Sequence, residues 1–147
     1  MMKKVKKVKV ISIRQPWAWL VASGLKDIEN RDWPTRFRGP VAIHAGKRIP
    51  YLEEVWEIED EFGIKLPTDF DVGGIIGFAT VKDCVSKHSS KWFFGSFGFV
   101  LSDARLCRFF PCPGRLGFFD LDVPHDLKQS SPVNIPVILE PELFQKL

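Results

Sequence analysis

Cysteine is scarce in this chain: Cys84, Cys107 and Cys112 are the only three in 147 residues. An odd number, at spacings unlike a disulfide scaffold, points to free thiols in a reducing compartment. With His88 they can be written C-x3-H…C-x4-C, but that is looser than zinc spacings, and Pro111 and Pro113 flank Cys112. No metal and no cofactor is therefore expected. Long apolar runs are missing too, and none approaches the roughly 20 residues that span a bilayer. The N-terminus, MMKKVKKVKV, is basic without the apolar stretch and cleavage site of a signal peptide. The expectation is a soluble, cytoplasmic protein with no membrane partner.

Other signatures fail at identifiable positions. Gly46-Lys47 suggests a phosphate loop, yet the pattern needs Gly at 41 and Ser or Thr at 48, where Val41 and Arg48 stand. There is no G-x-S-x-G elbow, no H-E-x-x-H and no dinucleotide fingerprint. The histidines His44, His88 and His125 are far apart in sequence.

What is present is ordinary in bulk and uneven in distribution. At 45% hydrophobic and 27% charged, the chain has a globular composition and a length suited to one core. Its net charge is +3, but residues 51–62 (YLEEVWEIEDEF) hold six acids and no Lys or Arg. Outside that segment, 21 basic residues face 12 acidic ones, a balance that permits a phosphate-bearing partner without demanding one.

Along the chain, Val8–Ile13 reads as a strand. Pro16 opens and Gly24 closes a short helix over 17–23. Trp17 and Trp19 lie about 200° apart around it, so either the helix is buried nearly all round or one indole borders a cleft. Residues 25–33 look extended, and 40–45 form another strand. Pro50 opens a second helix that Gly63 ends, with Leu52, Val55, Trp56 and Phe62 as its apolar side. Further strands are expected over 73–85, 91–101, 105–110 and 116–122, the first with glycines that suggest tight bends or bulges. The tail from Ser130 to Glu142 is proline-punctuated and is expected to lie extended along an edge. The chain thus divides into a basic arm (1–7), read as a solvated tail, and a single domain (8–147). The fold class is α+β, built on a small, partly closed barrel.

Two stretches carry candidate chemistry. In TRFRGPVAIH (35–44), an extended chain puts Phe37, Val41 and Ile43 on one face and Arg36, Arg38 and His44 on the other. The second face is either an anion-facing barrel wall or a solvent-exposed one. In GLKDIENRDW (24–33), Glu29 and Arg31 share strand parity while Lys26 does not. A turn at Gly24 could re-aim Lys26 toward them. A lysine beside a carboxylate in a semi-buried cleft can anchor a phosphate or, if desolvated, transfer a proton.

The stretch SIRQPWAWLVASGLKDIENRDWPTRFRGPVAIHAGK (12–47) resembles the signature of the ASCH family, the activating signal cointegrator homology domains. The GxKxxExR hallmark is present as Gly24, Lys26, Glu29 and Arg31. QPWA, the RGP step and the IHA strand are similar to the cointegrator-type branch. GGIIGFATVKDCV and WFFGSFGFVLSDAR extend the likeness over roughly 8–122. The resemblance implies a PUA-like mixed β pseudo-barrel with two to three flanking helices. It also implies a cleft faced by GxKxxExR and a nucleic-acid-related role. Some members resemble ribonucleases, and others are amidohydrolases of acetylated cytidine nucleosides. In the latter a threonine nucleophile occupies the position of Glu29, beside a lysine matching Lys26. A carboxylate does not replace a hydroxyl nucleophile, so that mechanism does not carry over intact.

Three readings follow. In the first, the domain binds RNA or another single-stranded nucleic acid. Lys26, Arg31, Arg38 and Lys47 contact phosphates, Trp17 or Trp33 stacks on a base for about 1–3 kcal/mol, and Gln15, Glu29 or Thr35 reads a base edge. The alternative is that Trp33 plugs the barrel and that Glu29 and Arg31 form a structural ion pair. In the second, the domain is a metal-independent hydrolase of RNA or of a modified nucleoside. Lys26 and Glu29 are then catalytic, and His44 is either a second acid/base or a core residue. The third is a protein-interaction module using helix 51–62 or the aromatic segment 92–99.

Overall fold

The β-branched run that follows the N-terminal lysines becomes an interior strand of the sheet, one in from its edge. The computed structural model describes residues 4–132; most of the tail that the sequence places along an edge lies outside them. Strand β1 (Val5–Ile13) pairs in parallel with β3 (Gly39–Ala45), from Val10 opposite Ala42 to Ile13 opposite Ala45. On its other side it pairs antiparallel with β6 (Phe118–Pro124). A parallel pair needs a crossover. Here residues 14–38 supply it, carrying helix α1 (Trp17–Ala22) and strand β2 (Ile28–Arg31). Helix α2 (Leu52–Phe62), β4 (Gly74–Val85) and β5 (Phe97–Pro111) complete the domain, with a 3-10 turn at Leu127–Gln129. The six strands form one mixed sheet in the order β2-β5-β4-β3-β1-β6. Among the described residues no helix is long and apolar enough to cross a membrane.

Three local features differ from the sequence reading. First, β1 starts at Val5, so Lys6 and Lys7 are strand residues opposite Val123 and Asp122 rather than part of a solvated arm. Their charge hides the alternation, but the β6 partner extends the ladder through them. Second, residues 97–111 form one strand, not two. Ser102-Asp103-Ala104-Arg105 breaks the apolar pattern like a turn, yet the strand runs through it as its register against β4 shifts and Asp103 takes a φ of 51°. Such bulges bend a strand without ending it. Third, the buried stripe of α2 is Val55 and Ile58, with Phe62 partly buried beside them. Leu52 and Trp56 are 61% and 58% exposed.

Burial on both faces explains β3. Val41, Ile43 and Ala45 join Ile11, Ile13, Ala18, Val21 and Ala22 in one core cluster, while Ala42 joins Val10, Ile75 and Phe78 in another. Helix α1 lies close against the first cluster because β4 offers Gly77 there. A Cβ at that position would stand 2.5 Å from the Arg105 carbonyl oxygen and 2.8 Å from the Ala22 Cβ. The sheet then curls so that its edges meet. Phe118 on β6 lies 5.8 Å from the ring of Trp33, which follows β2, and 5.8 Å from Phe99 on β5. This is the partly closed barrel of a PUA-like α+β fold.

Candidate functional site

Where α1 ends, Gly24 adopts a φ of 88°, a left-handed conformation that glycine reaches at little cost. The reversal brings the Lys26 N–H back to the Leu20 carbonyl at 3.0 Å and sends the lysine side chain inward. Its ammonium donates to the Ile28 carbonyl oxygen, lies 3.5 Å from Glu29 Oε1 and sits 5.7 Å from the Trp17 ring centroid. The opposite strand parity of Lys26 is thus overcome by the turn. From β2, Arg31 Nε donates to Glu29 Oε2 at 2.9 Å, and Nη2 of the same guanidinium donates to the Ser12 carbonyl at 2.8 Å. Glu29 therefore accepts on both oxygens, from two cations.

This cluster is recessed. Lys26 is 3% exposed and Glu29 7%, at the wall of a cleft of about 420 Å³. The end of β1 (Ser12, Ile13) with Arg14 after it, Trp17, residues 29–31 of β2 with Asp32 after them, and Phe94 complete the lining. The cleft lies at the gap in the barrel, where β1 runs past its last pairing with β6 at Ile11 and faces β2. Burial pushes the Lys26 pKa below the ordinary lysine value, and the attraction of Glu29 only partly offsets that. Its ammonium is then a stronger acid than a solvated one, and its neutral form is populated at a lower pH.

Of the residues singled out from sequence, Trp17, Lys26, Glu29 and Arg31 come together here, while the others lie elsewhere. Gln15 is buried, receiving the Trp19 N–H on Oε1 and donating Nε2 to the Asp71 carbonyl, each at 2.9 Å. It anchors the start of α1. Trp33 packs edge-on against Phe99 at 5.3 Å and against Phe118, which is the plug role. Thr35 caps its own turn, its hydroxyl accepting the Phe37 N–H at 3.0 Å. Arg38 is exposed and bonds the carbonyls of Thr35 and Phe37, and Lys47 is exposed outside the cleft lining.

His44 is 1% exposed. Its Nδ1 lies 2.9 Å from Ser12 Oγ and its Nε2 2.8 Å from the Cys112 carbonyl. Facing a carbonyl, Nε2 is a donor, and the Ser12 hydroxyl can serve Nδ1 in either role, so both ring nitrogens are satisfied within the fold. The face proposed for Arg36, Arg38 and His44 does not exist as such. The two arginines precede β3, and His44 faces the second core.

Sequence reasoning missed Arg14, Asn30 and Phe94. Arg14 directly precedes the QPW turn, and Asn30 sits inside the hallmark motif. Phe94 lies in an aromatic-glycine run whose burial cannot be read from its pattern. Among the described residues no cluster of His, Cys, Asp and Glu suited to a metal ion is found.

The comparisons with known proteins agree with this architecture. The model of the ASCH domain matches residues 11–109. Activating signal cointegrator 1 of Homo sapiens is 32% identical over 87 residues, and that of Mus musculus 32% over 83. These alignments cover 55% and 52% of this chain but only 15% and 14% of those longer proteins. The crystal structure of ASCH from Zymomonas mobilis superposes with a TM-score of 0.51 at 17% identity, covering 77% of this chain and 86% of that one; at that identity it speaks to the fold alone. The family is in general nucleic-acid associated. With that model matched over 99 of its 147 residues, this chain belongs to the ASCH domain family.

Proposed function

We propose that this domain binds single-stranded nucleic acid, RNA in the first instance, in the cleft lined by Lys26, Glu29 and Arg31. The observation that supports this most is the recessed Lys26–Glu29–Arg31 cluster, open to solvent on one side, with Arg14 exposed at its mouth. Recessed cations attract phosphate, a carboxylate held between two donors keeps lone pairs for a base N–H, and the Trp17 indole adds a flat wall. The test is fluorescence anisotropy with short single-stranded RNA and DNA of matched sequence over a salt series. Wild type is expected to bind with affinity falling steeply as salt rises, and Arg14→Ala and Lys26→Ala to weaken binding. Affinity indifferent to salt and to both substitutions would overturn the reading.

One observation favours a second reading, metal-independent cleavage of RNA. Lys26 is shifted toward the neutral range beside a carboxylate, a pairing suited to moving a proton at a ribose hydroxyl. Turnover of labelled RNA in EDTA, abolished in Lys26→Ala, would support it, and intact RNA with wild type excludes it.

A further inference from the structure

The loop between β4 and β5 carries three consecutive aromatics with three different fates. Trp92 is buried and stacks on Phe62 at 4.0 Å. Phe93 lies over Gly98, where an added Cβ would come within 2.7 Å of its ring. Phe94 is 64% exposed, yet it lines the cleft.

What holds Phe94 there is backbone, through one side chain of β2. Asn30 Oδ1 accepts the Phe94 N–H at 3.0 Å, and Asn30 Nδ2 donates to the Trp92 carbonyl at 2.8 Å. Both ends of a single amide are thus committed to the loop, and Gly95, at a φ of 86°, turns the chain directly afterwards. Asn30 stands between Glu29 and Arg31. The strand that presents the polar wall of the cleft therefore also sets the position of the aromatic at its rim.

A solvent-facing benzyl group carried on a pinned backbone at a polar cleft matches a ligand with a flat face and polar edges. The depth of the polar groups narrows the choice. In a duplex, each base has both faces stacked and its pairing edge occupied, so it cannot reach recessed side chains without leaving the stack. We infer that Phe94 is a base-stacking residue positioned by Asn30, and that the cleft takes one unpaired nucleobase of a strand. This inference rests on the nucleic-acid reading above and goes further, by naming the stacking partner and excluding duplex.

The experiment measures anisotropy with a short single-stranded RNA and a hairpin duplex of the same composition. It compares wild type with Phe94→Ala, Phe94→Leu, Phe94→Tyr, Asn30→Ala and the Phe94→Ala/Asn30→Ala double variant. Circular dichroism melts confirm that each is folded. Wild type should prefer the single strand. Phe94→Ala and Phe94→Leu should lose roughly tenfold in affinity for it, and Phe94→Tyr should stay within about twofold. The double variant should bind no more weakly than Phe94→Ala alone, because Asn30 acts through the ring. If wild type binds the single strand and Phe94→Ala or Phe94→Leu binds as well, the stacking role falls while the cleft reading stands. Equal wild-type affinity for the hairpin overturns the unpaired-base requirement, and wild type that binds neither RNA overturns both readings.

Discussion

The guanidinium of Arg31 joins two strands that share no ladder: its Nη2 donates to the Ser12 carbonyl of β1 at 2.8 Å while its Nε holds Glu29 of β2 at 2.9 Å. In the sheet order, β2 is one edge strand, and β1 lies next to the other. Arg31 is thus both a cleft residue and a clasp across the gap in the barrel. The planar fork of arginine sends these two bonds from separate nitrogens, a span that the single nitrogen of an ammonium does not cover.

Arg31→Met should therefore lower stability as well as binding. Losing charge-assisted bonds from a half-buried position, and leaving Glu29 with Lys26 alone, is expected to cost about 1.5–3 kcal/mol. Urea melts with an unchanged denaturant slope would measure it. A variant as stable as wild type would show that the clasp adds nothing and that Arg31 serves the ligand only.

Lys26 gives a pH signature on the alkaline side. Its folded pKa is lowered, chiefly by burial, so in the window between that value and the unfolded lysine value of about 10.4 the unfolded chain binds more protons than the folded one. Stability contributed by this group must then rise with pH across the window, as the desolvation penalty on the ammonium is relieved. Lys26→Met should lack that rise. Comparing wild type and variant melts from neutral pH upward isolates the difference, and parallel curves would contradict the burial of the ammonium.

Arg14 and Lys47 separate cleft charge from surface charge. Both are exposed, but only Arg14 lines the cleft. Arg14→Ala should reduce the slope of log affinity against log salt by about 0.7 for a single strand, with little change in melting temperature. Lys47→Ala should leave the slope as in wild type. A larger effect from Lys47 than from Arg14 would move the binding surface away from the cleft.

Cys107 should be the least reactive thiol. It is buried, and desolvation pushes its pKa up to about 11, whereas Cys84 is only partly buried. Iodoacetamide at pH 8 should leave Cys107 unmodified in the native protein and alkylate it after denaturation. The same shift removes stability as pH climbs from the unfolded thiol value of about 8.5 through the folded one, because the unfolded chain gives up the proton first. Native labelling of Cys107 as fast as Cys84 would refute its placement.

The local elements were legible where a short pattern carried the whole cause. Pro16 and Gly24 delimit α1, Gly63 ends α2 at a φ of 63°, and the hallmark Lys26, Glu29 and Arg31 were singled out with the turn that unites them. The limits of β1 and the continuity of β5 were hidden, because both depend on a partner strand that overrides the local polarity of Lys6-Lys7 and Ser102–Arg105.

The chain's own chemistry determined that a lysine, a glutamate and an arginine would meet after α1, since a glycine turn and strand parity act within ten residues. Only the tertiary structure decided what surrounds them. Curling the sheet placed Trp33 in the closing seam, and the two-faced burial of β3 turned His44 from a wall residue into a core one. The Asn30 amide, bonded to a loop more than 60 residues away in sequence, brought Phe94 to the rim. Contacts at that separation are set by how the sheet closes, and no local period records that.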